Sequence, residues 1–170
     1  MIEEMLVLDE MEVATGWTLL NDATENLEAS TTHAWGKANS LEFDKKDGTG
    51  FFVCGAYKTV ALDLRNWNPE DLICWLANAK AQTNLVNTFV RLGTDASNYL
   101  EWRFLVASMT ANRFNLCSAK LGNAYVAAAG WNQQKVTYMV VGYTFTNETD
   151  ALTDIEIDHV YLRRSVFTQT

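Results

Sequence analysis

Apolar and polar residues alternate with a period of two along much of this chain. That pattern dictates strands, because successive side chains of an extended backbone point to opposite faces. Leu41 and Phe43 fall opposite Ser40, Glu42 and Asp44. Val60, Leu62 and Leu64 alternate with Ala61, Asp63 and Arg65. Leu100, Trp102, Phe104 and Val106 alternate with Tyr99, Glu101 and Arg103, and Phe114 and Leu116 with Arg113 and Asn115. Three further runs, Leu72–Leu76, Phe89–Leu92 and Val136–Tyr143, are apolar on both faces, as in strands covered from both sides or packed on another subunit. No window of a dozen residues carries a helical stripe; Ala77–Gln82 and Ala124–Ala129 hold helix formers but are short.

Turn residues punctuate these runs. Asp47-Gly48-Thr49-Gly50 divides two strands, Asn66–Asp71 is a longer connection, and Gly93–Asn98 reads as a hairpin loop. About ten strands joined by short turns predict an all-β fold, a two-sheet antiparallel sandwich. The 170 residues, 48% of them hydrophobic, suffice for a sizeable core. With one proline, Pro69, and no Gly/Ser-rich linker, residues 1–170 are expected to form a single domain. Near the end, Ile155 and Ile157 are out of phase with Val160 and Leu162. Both pairs reach one core only if an extra residue is absorbed near Asp158-His159, which predicts a β-bulge there.

At this point the segments resemble a known set. Asp9–Trp17, with an acidic residue a few positions before Gly16-Trp17, is similar to the first strand of jelly-roll carbohydrate-binding modules. Ser40–Phe43 resembles their second strand, Gly130-Trp131-Asn132 their Gly-Trp segment, and Ile155–Leu162 their closing strand. Val90–Trp102 is similar to a hairpin of jelly-roll domains in bacteriophage structural proteins. The resemblance implies a jelly-roll fold, and it makes Trp17 and Trp131 structural. In some sugar-binding relatives two acids, here Glu12 and Asp158, hold a structural calcium, which would tie the first strand to the last. A hydrogen-bonded carboxylate at a bulge is the other reading of each; beyond this calcium no cofactor is expected.

Chemistry-bearing patterns are few. The chain has no nucleophile elbow, phosphate-binding loop, dinucleotide fingerprint or His-Glu-x-x-His run. His33 and His159 stand far apart in sequence, and each reads as a surface or interface side chain. Two carboxylates on one sheet can hydrolyse a glycosidic bond. Glu42 and Glu101, both mid-strand and opposite the apolar stripe, are the best such pair, but a chain with 21 acids produces coincidences of this kind freely. The chain is therefore expected not to be an enzyme. Six tryptophans are many for this length, and flat rings are what sugars stack upon. Trp102 and Trp75 read as core; Trp35 and Trp67, in polar loop-like sequence, and Tyr99, beside the hairpin, are the candidate ligand platform.

A net charge of −8 repels phosphate backbones and anionic lipid, so neither nucleic acid nor membrane is an expected partner. The basic cluster Arg163-Arg164 is far too small for a phosphate-tracking groove. Cys54, Cys74 and Cys117, odd in number and widely spaced, read as small buried hydrophobes. The acidic start, Met1–Met5, is unlike a secretory signal and predicts synthesis and folding in a host cytoplasm. Asn147-Glu148-Thr149 then reads as a polar turn, not a glycosylated site. These features together favour a bacteriophage virion component, a capsid decoration (cement) protein or part of a head or tail fibre, bound to other virion proteins and forming a homo-oligomer. The alternative is a carbohydrate-binding or host-receptor-binding, lectin-like module whose partner is a glycan.

Overall fold

In the computed structural model, which describes residues 5–32, 37–48 and 50–165, the alternating segments form strands of two antiparallel sheets. The first sheet runs β3 (Thr24–Ser30), β4 (Ser40–Lys45), β12 (Leu152–Arg163), β6 (Leu72–Ala79), β9 (Asn115–Lys120), with β1 (Met5–Asp9) also paired to β12. The second runs β10 (Val126–Ala127), β8 (Tyr99–Leu105), β7 (Leu85–Gly93), β11 (Val136–Phe145), β5 (Val53–Leu62), β2 (Trp17–Leu19). The all-β sandwich expected from the alternation is what forms. Among the described residues the only helical element is one turn of 3₁₀ helix, Val106–Ser108. Ala77–Ala79 lies in β6 and Val126–Ala127 in β10, so sheet pairing overrides the helix propensity of both alanine-rich stretches.

Residues 9–17 do not form one continuous strand. Asp9 ends β1, paired to Val160 of the first sheet, whereas Trp17 begins β2, paired to Lys58 of the second. The segment between crosses from one sheet to the other, and Met11, at φ 58°, is fully buried at the crossing.

β12 organises the first sheet. β4 pairs with it from Leu152 to Ile157, and β1 pairs with it from Val160 to Arg163. Between these stretches its register with β6 shifts from Asp158 to Tyr161, and His159 adopts φ 47°. This is the bulge that the phase change predicts. Its effect is that Ile155, Ile157, Val160 and Leu162 are all completely buried.

The core lies between the sheets and includes the fully buried Trp75, Trp102, Tyr143 and Phe43. Each such aromatic takes roughly 150–250 Å² out of water, worth about 4–6 kcal/mol before entropy. Their polar atoms also tie the sheets together. Trp75 Nε1 donates to Thr88 Oγ1 across the sandwich at 3.1 Å. The Tyr143 hydroxyl, from the second sheet, lies 3.0 Å from the Asn78 carbonyl and 3.1 Å from that of Glu156 in the first. Lys45 is buried because its three donors find three carbonyls, those of Lys46, Glu148 and Asp150, at 2.8–2.9 Å. All three cysteines are buried, as expected.

Candidate functional site

The outer face of the second sheet gathers aromatic and charged side chains that core packing does not explain. Strand register sets them in rows. One row crosses the whole sheet: Thr18, Tyr57, Val140, Arg91, Glu101 and Val126. The next holds Thr59, Tyr138, Gly93 and Tyr99, and on the other side lie Gly55, Gly142, Phe89 and Arg103. These positions alternate with the inward Ala56, Val90, Leu92, Met139, Val141 and Trp102 of the core.

Phe89 is fully buried although it points away from the core. Gly142 is the reason: a Cβ there would lie 2.9 Å from the Phe89 ring and 2.2 Å from the Cys54 carbonyl. Only glycine lets the ring settle onto the strand beneath it. The Arg91 guanidinium then stacks 4.8 Å from the centroids of both Phe89 and Tyr99.

Glu101 is the electrostatic centre of the face. It is fully buried, with Arg91 Nε donating to Oε1 and Arg103 Nε to Oε2, each at 2.5 Å. Arg103 in turn stacks 3.7 Å over the ring of Tyr125, a residue that is 67% exposed. A buried carboxylate is tolerated because charged donors engage both oxygens. At the other end of the face the Tyr57 and Tyr138 rings pack with centroids 5.3 Å apart. Burial, and next the neighbouring Tyr57, push the Tyr138 phenol above its ordinary pKa, with Arg91 opposing. The arrangement can offer four phenol rings for stacking and fixed guanidinium donors for hydrogen bonds.

Of the residues singled out in the sequence, Tyr99 stands on this face and Glu101 at its centre. Glu42 lies on the outer face of the first sheet, opposite Glu156 and Glu28, so it and Glu101 are on opposite sides of the sandwich and cannot share a substrate. Trp67 is not an open platform; it is 8% exposed, covered by the Arg164 guanidinium at 4.8 Å. With Trp102, Trp131, Leu100 and Leu121 it lines a hollow of about 160 Å³ at the end of the sandwich. Its loop is pinned by the buried Asp71, which accepts from Asn68 N at 2.8 Å and from Ser165 N at 3.0 Å. Trp35 and His33 lie outside the described residues. His159 packs against Tyr161, centroids 5.2 Å apart, on the outer face of the first sheet.

Glu12 and Asp158 come to the junction where β1 and β4 meet along β12. Asn39, just before β4, donates to the Glu12 carbonyl at 2.9 Å, and Ala38 N to Glu12 Oε2 at 3.3 Å. Glu12 Oε1 is buried without a hydrogen-bond partner, and Asp158 is fully buried. Among the described residues no three His, Cys, Asp or Glu side chains gather as a metal-ligand group.

Tyr57, Tyr138, Phe89 and Arg91 escaped the sequence reading. A signal for one was present: centring the hairpin on Ala96 puts Arg91 directly across from Glu101.

No protein family's sequence profile matches the chain, and no curated protein matches it in sequence. Solved structures do match it. A family 11 carbohydrate-binding module from Clostridium thermocellum, in complex with a β-1,3-1,4-mixed-linked tetrasaccharide, superposes with TM-score 0.65 at 9% identity, covering 95% of this chain and 96% of that one. The family 30 module of a cellulosomal cellulase from the same organism gives TM-score 0.64 at 8% identity over 98% and 99% of the two chains. A xylan-binding family 22 module from Paenibacillus barcinonensis gives 0.53 at 14% identity over 94% and 92%. The chain therefore has the jelly-roll sandwich fold of carbohydrate-binding modules.

Proposed function

We propose that this chain is a non-catalytic carbohydrate-binding module whose ligand lies across the outer face of the second sheet. The observation that carries the reading is the group of Tyr57, Tyr138, Tyr99 and Tyr125 around the Arg91–Glu101–Arg103 cluster on one side of such a sandwich. Sugar rings stack on flat aromatic faces, and their hydroxyls are oriented by a few fixed polar groups. Fold alone does not assign a function, so this argument rests on the face itself. The virion role favoured by the sequence has no named structural neighbour behind it, and the alternative carries more weight. Trp67, covered by Arg164, acts in this reading as a packing residue.

Affinity electrophoresis and calorimetry against soluble polysaccharides, beginning with mixed-linked β-glucan and xylan, test the proposal. Binding that falls in Tyr57→Ala and Tyr138→Ala is expected. Absence of binding to every glycan of a broad panel would overturn it.

A structural calcium at the Glu12–Asp158 junction is a separate proposal, supported by the orphaned Glu12 Oε1. Calcium takes six to eight oxygens, so backbone carbonyls would complete the set. A melting temperature that rises with calcium and falls back with chelator is expected; an unchanged one overturns it.

A further inference from the structure

We infer that the ligand of this face is an acidic glycan, one bearing carboxylate or sulfate groups, and not a neutral glucan. The inference rests on the proposed module function and specifies its substrate class. The chain as a whole is strongly acidic, with 21 acids against 13 bases. Yet the only charged side chains at the outward positions of the second sheet named above are Arg91, Arg103 and Glu101, two positive and one negative. This local excess of positive charge stands out against a net charge of −8.

The geometry makes that excess available. Each guanidinium spends its Nε–H on one oxygen of Glu101. Because the two arginines divide one carboxylate, neither forms the usual two-toothed pair with it. Their Nη groups find no protein acceptor among the described residues. An arginine has five N–H donors, so four remain on each side chain. Stacking on Phe89 and Tyr99, and on Tyr125, already fixes both guanidinium planes, so little side-chain entropy is lost on binding. Planar guanidinium edges fit carboxylate and sulfate in two-toothed fashion, and a charged acceptor makes the stronger hydrogen bond. A neutral sugar would leave the excess charge uncompensated. The chain's overall negative charge acts against an anionic ligand only at long range. At 0.1 M salt the screening length is about 10 Å, and the arginines next to the ligand prevail.

The test is calorimetry of the full chain against neutral β-glucan oligosaccharides, oligouronides and sulfated oligosaccharides of matched length, at 0.1 and 0.5 M salt. At least one acidic class should bind tenfold or more tightly than the neutral one, and that binding should weaken as salt rises. Comparing the uronide and sulfate arms identifies which anion is read. Arg103→Gln should lose at least tenfold for the acidic ligand, a larger loss than for any neutral one, so that the preference for the acidic class narrows. Arg103→Lys, which keeps the charge on a different shape, should retain part of the affinity, and Glu42→Gln on the far sheet should retain all of it. Equal or tighter binding of the neutral glycan overturns the inference while the module function stands. Failure to bind any of the three classes counts against the module function itself.

Discussion

The two outer faces of this sandwich are built from the same alternation yet spend their polar groups differently. On the first sheet a row of Glu28, Glu42, Glu156 and Asn78 crosses four strands, placing three carboxylates side by side. There Glu156 is buried and held by neutral donors, Ser40 Oγ at 3.2 Å and Asn78 Nδ2 at 2.6 Å. Elsewhere on that face an apolar patch of Cys74, Leu76 and the exposed Leu116 stands beside Ser118 and the Lys80–Asp154 ion pair. On the second sheet the corresponding central row sets one carboxylate between two guanidinium groups, with tyrosines around them. The first face consumes its donors internally, while the second holds donors in place and leaves part of them unspent. That difference, and not the fold, sets the proposed binding face apart from the opposite one.

The comparison can be broken most forcefully at Glu101. Glu101→Ala leaves two guanidinium groups without their shared counter-charge, and about 3 kcal/mol of stability should be lost in a denaturant titration. A loss below about 1 kcal/mol would mean the face is not organised around this residue. Gly142→Ala comes next. Its Cβ meets a backbone carbonyl that cannot move aside, so about 2 kcal/mol should be lost and the Phe89 ring displaced. The binding contrast follows: Tyr57→Ala or Tyr138→Ala should weaken glycan affinity about tenfold, close to 1.4 kcal/mol, with modest change in melting temperature. The smallest effect is the control on the opposite face, where Glu42→Gln should change stability by no more than about 0.5 kcal/mol and binding not at all.

How far the molecule could be read from its residues follows the same divide. The bulge was legible because two apolar pairs, Ile155/Ile157 and Val160/Leu162, can face one core in no other way. The continuous segment expected over Asp9–Trp17 instead crosses between sheets, and Met11 is the left-handed, buried residue at that crossing. The site was harder. Phe89–Leu92 and Val136–Tyr143 are apolar on both faces, and sequence cannot say whether the outer face is covered by the chain, a subunit or a ligand. Phe89 and Val140 are covered by their own sheet, whereas Tyr138 stays half-buried at the surface. Trp67 misled in the opposite sense: its loop is polar, but Arg164, distant in sequence, covers its ring.

The most direct measurement is a map of backbone amide shifts when the tightest-binding oligosaccharide of the panel is titrated into labelled protein. The largest changes should trace the outward rows of β5, β11, β7 and β8, centred on Tyr57, Tyr138, Arg91 and Glu101. Changes confined to the Glu42–Glu156 row, or to the end hollow around Trp67 and Trp131, would contradict the account.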